Sequence, residues 1–127
     1  MKIAVAQISC LLGNPGANLL KVRDFSAHAK EADVDLIVFP EMIDTGYSMP
    51  VIRTNAASWT DGFVPELQEI ARQLSIVIVS GLSGRDGASI YNSQVAVDQQ
   101  GNIISKYRKI HLFAVAPIEE HKCFSPG

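Results

Sequence analysis

A short buried β-strand is indicated by Leu36-Ile37-Val38-Phe39-Pro40-Glu41, in which four consecutive apolar residues are stopped by a proline. An uninterrupted apolar run bounded by a breaker is typical of a strand that is covered on both faces. Similar runs occur before and after it in the chain, at Ile3 to Ile8 and at Ile76 to Ser80, and the latter is closed by Gly81. The sequence therefore predicts three buried strands.

Two segments between these strands have the apolar spacing of amphipathic helices. Asn14 can cap the first helix, and Pro15 lies in its first turn. The apolar positions of this helix recur at steps of three and four: Leu19, Val22, Phe25, Ala29 and Ala32. Those of the second helix lie on one side: Phe63, Leu67, Ile70, Ala71 and Leu74. Alternating strands and helices predict parallel β-α-β units with right-handed crossovers, and hence an α/β fold.

The rhythm changes after Gly81. The stretches Ile90 to Val97 and Ile103 to Tyr107 have strand character, and Asp98-Gln99-Gln100-Gly101-Asn102 between them is typical of a hairpin loop. We therefore expect a mixed sheet that is parallel first and antiparallel at its far edge. The segment 44–60 is rich in turn formers and is predicted to be irregular.

Composition limits the class of protein. The chain has 127 residues, 47% of them hydrophobic and 19% charged, as in an ordinary globular domain. A net charge of −2 gives no reason to expect nucleic acid or an anionic membrane as a partner. No apolar run has the length of a membrane span. Cys10 and Cys123 make no disulfide framework, which favours a reducing, cytoplasmic compartment. The tail from Phe113 ends on a turn, Ser125-Pro126-Gly127, so we expect the native polypeptide to continue.

Glu41 is the first candidate for chemistry. It lies two residues beyond the apolar run that ends at Phe39, and ligands of open α/β sheets gather at the carboxyl ends of the strands. A carboxylate against apolar residues loses part of its hydration, which favours the role of a general base. A structural glutamate that caps a loop explains the same position, so the residue alone leaves both interpretations open.

Lys109 is the second candidate, within Tyr107-Arg108-Lys109-Ile110-His111-Leu112. Such a cluster of cations on an edge strand is a common protection against aggregation. However, Ile110, Leu112 and Phe113 suggest that part of the segment turns inward, where a lysine can stabilise a developing oxyanion. Both interpretations remain open at this point.

The remaining histidines, cysteines and aromatic residues give weaker indications. His121-Lys122-Cys123 has a spacing too tight for the usual zinc ligands, and with His111 it still lacks a fourth ligand, so no metal site is predicted. His28 is expected to face solvent. Trp59 and Tyr47 fall in the irregular segment, where each can either line a pocket or attach a loop to the core.

Five motifs occur in one order along the whole chain, and together they resemble those of the nitrilase, or carbon–nitrogen hydrolase, superfamily. They are Ile3-Ala4-Val5-Ala6-Gln7, Phe39-Pro40-Glu41-Met42, Tyr91-Asn92-Ser93, Tyr107-Arg108-Lys109-Ile110-His111-Leu112, and Glu120 followed by Phe124-Ser125-Pro126-Gly127. Each motif alone is weak evidence, but five in register are strong evidence.

The resemblance implies a four-layer αββα sandwich, of which residues 1–127 are the N-terminal portion of one incomplete domain. It also implies a Glu-Lys-Cys triad that hydrolyses amide, carbamoyl or nitrile carbon–nitrogen bonds without a metal or organic cofactor. Glu41 matches the general base, Lys109 the lysine that holds the tetrahedral intermediate, and Glu120 a second glutamate near the site. An amidase is the expected activity, with a small amide-type molecule as substrate.

The nucleophile is the one part of the triad without a match, because the family's cysteine follows the Pro-Gly pair matched by Pro126-Gly127. We expect neither Cys10 nor Cys123 to replace it, since a nucleophile must meet both base and oxyanion donors. The chain alone is therefore expected to be inactive, and to pair with a second copy or with the C-terminal half. The alternatives are a truncated paralogue that serves as a binding or assembly module, and a small-molecule-binding α/β domain.

Overall fold

The computed structural model describes residues 1–127 without a gap. Its elements, in chain order, are β1 (Ile3–Val5), α1 (Pro15–Glu31), β2 (Leu36–Val38), α2 (Met49–Asn55), α3 (Phe63–Leu74), β3 (Val77–Asp86), β4 (Ser89–Val97), β5 (Ile103–Arg108), β6 (Ala114–Val115), β7 (Ile118–Glu119) and a 3₁₀ turn (Glu120–Lys122). None of the helices is long and apolar enough to span a membrane.

Five strands form one sheet in the order β1-β2-β3-β4-β5. The pairs β1–β2 and β2–β3 are parallel, whereas β3–β4 and β4–β5 are antiparallel. The predicted α/β fold with a mixed sheet, antiparallel at its far edge, is therefore confirmed. The short strands β6 and β7 form a separate two-stranded hairpin.

The main core lies between the sheet and the two long helices, α1 and α3. The apolar face predicted for α3 is buried there, with Leu67, Ile70 and Ala71 fully enclosed. They pack with side chains of the central strands such as Ile37 and Ile78, which are aligned in the parallel register. Both helices thus cover the same face of the sheet.

Helix α1 is turned slightly from the predicted orientation. Phe25 was expected inside but is 44% exposed, while the polar residues Asn18 and Ser26 are buried. Asn18 can be buried because its amide is hydrogen-bonded: it accepts from the Leu11 amide at 2.7 Å and donates to the Leu11 and Asp44 carbonyls at 2.8 and 3.1 Å. The helix therefore anchors two loops as well as filling the core.

The other face of the sheet has no helix over it. Strand β1 is shorter than the predicted Ile3 to Ile8, and its burial was predicted wrongly: Ile3 is 53% and Val5 77% exposed. Side chains alternate between the two faces of a strand. The uncovered face, here called the bare face, therefore carries the residues that alternate with the core positions: Ile3, Val5, Leu36, Val38, Val77 and Val79.

Two further elements differ from the sequence prediction. Strand β3 does not stop at Gly81 but continues to Asp86, because β4 pairs with it along its whole length. Helix α2 lies within the segment that was predicted to be irregular. It begins after Ser48, carries Pro50 in its first turn and buries Ile52, but its seven residues are too few for a helical period to show.

Candidate active site

The three predicted site residues come together around the ammonium group of Lys109. Its Nζ lies 3.6 Å from Glu41 Oε1 and 3.1 Å from Glu120 Oε2. Glu41 follows β2, Lys109 directly follows β5, and Glu120 opens the 3₁₀ turn after β7. A hydrogen bond from the Lys109 amide to the Asn92 carbonyl, 2.8 Å long, keeps this part of the chain aligned with β4 beyond the end of β5.

Glu120 is fully buried and accepts hydrogen bonds on both carboxylate oxygens. Oε1 accepts from Tyr47 Oη at 2.6 Å, Asn92 Nδ2 at 2.9 Å and Lys109 Nζ at 3.2 Å, and Oε2 accepts from the Phe113 amide at 2.7 Å. Burial by itself raises the pKa of Glu120, but these four donors outweigh it and hold the pKa below its ordinary value. Glu120 is therefore a fixed anion.

Lys109 is held as a cation by the same contacts. Partial burial lowers the pKa of an ammonium group, but the hydrogen bond to Glu120 and the negative charges of Glu41 and Glu120 raise it by more. The net effect is a pKa above the ordinary lysine value, so the group does not act as a base near neutral pH. It presents positive charge towards the space beside Glu41.

Glu41 differs from Glu120 in its surroundings. Its side chain is 53% exposed, whereas the Glu120 side chain is fully buried. Its backbone is nevertheless fixed: a Cβ on Gly81 would come within 2.7 Å of Glu41 Cα, which shows how closely β3 approaches it. The next residue, Met42, is fully buried with φ at 52°, a conformation that non-glycine residues rarely adopt.

Glu41 and Lys109 both open into a cavity of about 270 Å³. Its walls are formed by Phe39, Glu41, Gly81, Asn92, Ser93, Gln94, Tyr107 and Lys109. A larger cavity of about 540 Å³ shares Ser93 and Tyr107 with it and is lined by Trp59. Trp59 packs against the main core and has Lys106 Nζ 5.3 Å from its ring, so it both lines a cavity and attaches its loop to the core.

Neither cysteine lies in the wall of the cavity that contains Glu41 and Lys109. Cys123 is half-buried, with its thiol 3.7 Å from the Met49 carbonyl, and Cys10 is half-buried against the main core. Burial raises the pKa of both thiols, which disfavours the reactive thiolate. No three His, Cys, Asp or Glu side chains are grouped as metal ligands. His28 is exposed, as predicted.

Two site residues were not assigned from the sequence. The sequence allows Tyr47 either a pocket or a loop role, and its hydroxyl in fact bonds to Glu120. The second is Asn92, whose amide donates to the same oxygen of Glu120. The only signal for Asn92 in the sequence is its place in the motif Tyr91-Asn92-Ser93, because the burial that requires its amide to have a partner is visible only in the fold.

These residues sit in a chain whose class is shown by comparison. The sequence profile of the carbon–nitrogen hydrolase family matches residues 2–127, and the chain belongs to this family. It is 34% identical over 131 residues to a nitrilase from Pyrococcus abyssi, with 100% of this chain and 48% of the relative covered. It is 31% identical to a 2-oxoglutaramate amidase from Bacillus subtilis, with 94% of this chain and 48% of that one covered.

The fold agrees with this assignment. An amidase from a Nesterenkonia species superposes with a TM-score of 0.88 at 30% identity, covering 100% of this chain and 48% of the amidase. The resemblance to the nitrilase superfamily is thus confirmed, as is the match to the first half of its fold. The chain spans about half the length of the curated relatives it matches.

Proposed function

We propose that this chain supplies the base and the cation of an amide-hydrolysing Glu-Lys-Cys site, and that the cysteine comes from polypeptide outside residues 1–127. The observation that carries the proposal is the position of Lys109 Nζ between two carboxylates in different surroundings. Glu120 is buried and saturated with donors, whereas Glu41 is exposed to the cavity. Two carboxylates in such contrasting environments suit two different roles.

Glu41 is the proton carrier in this proposal. It takes the proton of the cysteine thiol, and the thiolate attacks the carbonyl carbon of the amide. Lys109 stabilises the oxyanion that forms on the carbonyl oxygen, which is the effect of a fixed positive charge at a site of developing negative charge. Glu41 then passes its proton to the departing nitrogen, so that ammonia leaves and a thioester remains.

The second half of the reaction uses the same groups. Glu41 removes a proton from water, the hydroxide attacks the thioester, and Lys109 again stabilises the oxyanion. The carbon–sulfur bond breaks, the thiolate recovers the proton from Glu41, and the carboxylic acid leaves. Glu120 takes no proton at any step; it holds Lys109 in place as a cation.

The related structures support an amide as the substrate class. Variants of the Nesterenkonia amidase have been determined with acrylamide and with butyramide, and acrylamide adds to the active-site cysteine of one of them. Both are small, uncharged primary amides. A cavity of about 270 Å³ beside Glu41 and Lys109 has room for molecules of this size. Free cysteines accord with the cytoplasmic location expected from the sequence.

The bare face supports an association with further polypeptide. Six apolar side chains of β1, β2 and β3 lie on it without a helix above them. Such a surface is normally covered by another layer, either a second copy of this chain or a C-terminal half of the same fold. Of these two, only the C-terminal half would complete the domain of which residues 1–127 are a part.

The proposal is tested by ammonia release from butyramide and acrylamide. The purified 127-residue chain is compared with the polypeptide encoded by the complete reading frame, each as wild type and as Glu41→Gln. We expect no turnover by the chain alone, and turnover by the complete polypeptide that Glu41→Gln abolishes. Turnover by the chain alone that disappears in Cys123→Ala would contradict the proposal and make Cys123 the nucleophile.

A second candidate function is a non-catalytic binding or assembly module. It is favoured by the separation of both cysteines from the cavity, together with the exposed bare face. A module of this kind would bind an amide without hydrolysing it. Equilibrium binding of butyramide to the chain alone, combined with a complete reading frame that encodes no cysteine after an apolar strand, would establish it over the hydrolase.

A further inference from the structure

Asp44 is a buried carboxylate that the proposed reaction does not use. It lies on the loop between Glu41 and Tyr47, three residues from each, and only 4% of its surface is exposed. Burial raises the pKa of this group, so enclosing it as an anion is unfavourable. Hydrogen bonds to the carboxylate offset this cost, and they come chiefly from Ser83 in β3.

The Asp44 carboxylate pairs with the part of β3 that extends beyond the end of β2. Strand β2 ends at Val38, whereas its parallel neighbour β3 continues to Asp86, so the backbone of β3 needs other partners beyond Val79. The Gly81 carbonyl accepts from the Ile43 amide at 3.0 Å. The next free donor, the Ser83 amide, reaches the two oxygens of Asp44 at 3.0 and 3.2 Å, and the Ser83 hydroxyl also donates to Asp44.

These contacts fix the loop at both ends of the site. On one side of Asp44, the backbone of Glu41 is in close contact with Gly81 of β3. On the other side, Tyr47 reaches across to Glu120. Ser83 itself pairs with Asn92 across the β3–β4 ladder, and the Asn92 amide donates to Glu120. Asp44 thus connects the loop to the same strand pair that supports Glu120.

We propose that Asp44 is a positioning residue of the site, which holds the loop of Glu41 and Tyr47 on β3 through Ser83. It touches no reacting atom, and its role rests on the proposed function of Glu41, Lys109 and Glu120. The carboxylate accepts hydrogen bonds from both the amide and the hydroxyl of Ser83. An asparagine can reproduce this contact, since its oxygen accepts from the amide and its nitrogen donates to the hydroxyl oxygen.

The ionisation of Tyr47 reports whether the loop is in place. Burial, the hydrogen bond to Glu120 and the nearby negative charges raise the pKa of Tyr47 far above the usual tyrosine value. Its phenol therefore remains protonated at pH ~10.5, where an ordinary tyrosine with a pKa of about 10 is mostly ionised. Tyrosine labelled with ¹³C at Cζ distinguishes the two forms by NMR, and Tyr47→Phe identifies the Tyr47 signal among the three tyrosines of the chain.

The variants Asp44→Leu and Asp44→Asn separate positioning from bulk packing. In the 127-residue chain we expect Tyr47 to ionise in Asp44→Leu with a midpoint lower by at least ~1 pH unit. In Asp44→Asn we expect the protonated Tyr47 signal of the wild type. Ile70→Val, in the core of α3 away from the loop, controls for a general loss of stability and should also retain that signal.

Two results would overturn the proposal, and they can be told apart. A folded Asp44→Leu chain with Tyr47 still protonated at pH ~10.5 would remove the role of Asp44 and leave the site intact. Ionisation of Tyr47 in the wild type at pH ~10.5 would remove the contact with Glu120, and with it both the site and this inference. If Asp44→Leu does not fold, Ser83→Ala takes its place. We then expect a smaller decrease in the midpoint of Tyr47 ionisation, and an unchanged midpoint would overturn the proposal.

Discussion

Tyr47 donates a 2.6 Å hydrogen bond to Glu120, although 73 residues separate them in the chain. The bond joins the loop that follows β2 to the 3₁₀ turn that follows β7. Lys109 lies between these two segments and contacts both Glu120 and Glu41. The charged groups of the site are thus held by contacts between segments that are far apart in the sequence. Substitutions in these segments should therefore have measurable effects.

Replacing Tyr47 by phenylalanine removes one donor from a buried carboxylate. We expect Tyr47→Phe to lower the free energy of unfolding by about 1–2 kcal/mol, because it deletes a hydrogen bond to a buried charged group. Urea unfolding monitored by circular dichroism measures the change. Tyr107→Phe, at a tyrosine that is half-exposed on the edge strand β5, should change it by less than about 0.5 kcal/mol. Equal effects of the two substitutions would contradict the model of the network.

The stability of the chain should fall in acid partly through Glu120. Its pKa is lowered in the folded state, so its contribution is present above the unfolded value of about 4.3 and is lost as the pH falls through the folded value. Urea unfolding between pH ~3 and ~7 measures how steeply the free energy of unfolding changes with pH. Glu120→Gln should flatten the slope more than Glu119→Gln, whose carboxylate pairs with Lys122 at the surface.

Close contact between β3 and Glu41 makes Gly81 sensitive to substitution. A Cβ at this position would lie 2.7 Å from Glu41 Cα and 3.0 Å from the Pro40 carbonyl, so backbone must move to admit it. We expect Gly81→Ala to destabilise the chain by about 1–3 kcal/mol, a typical cost of overpacking. Gly16→Ala is the matched control, because a Cβ there meets only Asn14 Oδ1 at 3.9 Å in helix α1. It should stabilise by about 0.5–1 kcal/mol, and thermal melts compare the two.

Exposure of the bare face predicts self-association of the isolated chain. Light scattering should give a mass above that of the 13.8 kDa monomer. Val5→Glu combined with Val79→Glu should lower the mass, since charges on this face oppose the burial of apolar surface. Leu20→Glu, at a site 63% exposed on α1, should leave the mass unchanged. A wild-type chain that is monomeric with one cooperative melt would refute this expectation.

The parts of the fold that follow from local pattern were predicted correctly. The buried face of α3 repeats at helical spacing, and residues such as Leu67 and Ile70 are enclosed as expected. The hairpin of β4 and β5 is indicated by the polar loop between them. The predicted burial of β1 was wrong. Val5 belongs to an apolar run, but the run does not reveal that β1 is an edge strand with one face uncovered.

The candidate site was predictable to the extent that its residues belong to family motifs. Glu41, Lys109 and Glu120 were named from such motifs, and the structure brings them together. Asp44 and Tyr47 lie in a loop that has no helical or strand periodicity. Their partners are distant in the sequence: Ser83 is 39 positions from Asp44, and Glu120 is 73 positions from Tyr47. No local pattern encodes such contacts, so only the folded chain reveals them.

Because Glu41, Lys109 and Glu120 all lie between residues 41 and 120, they share one continuous portion of the polypeptide. The ion pairs that join Lys109 to Glu41 and to Glu120 also lie within residues 1–127. A gene rearrangement that kept this portion whole would therefore transmit Glu41, Lys109 and Glu120 as a single heritable unit. Recombination between relatives could then exchange other segments without separating these three charged groups.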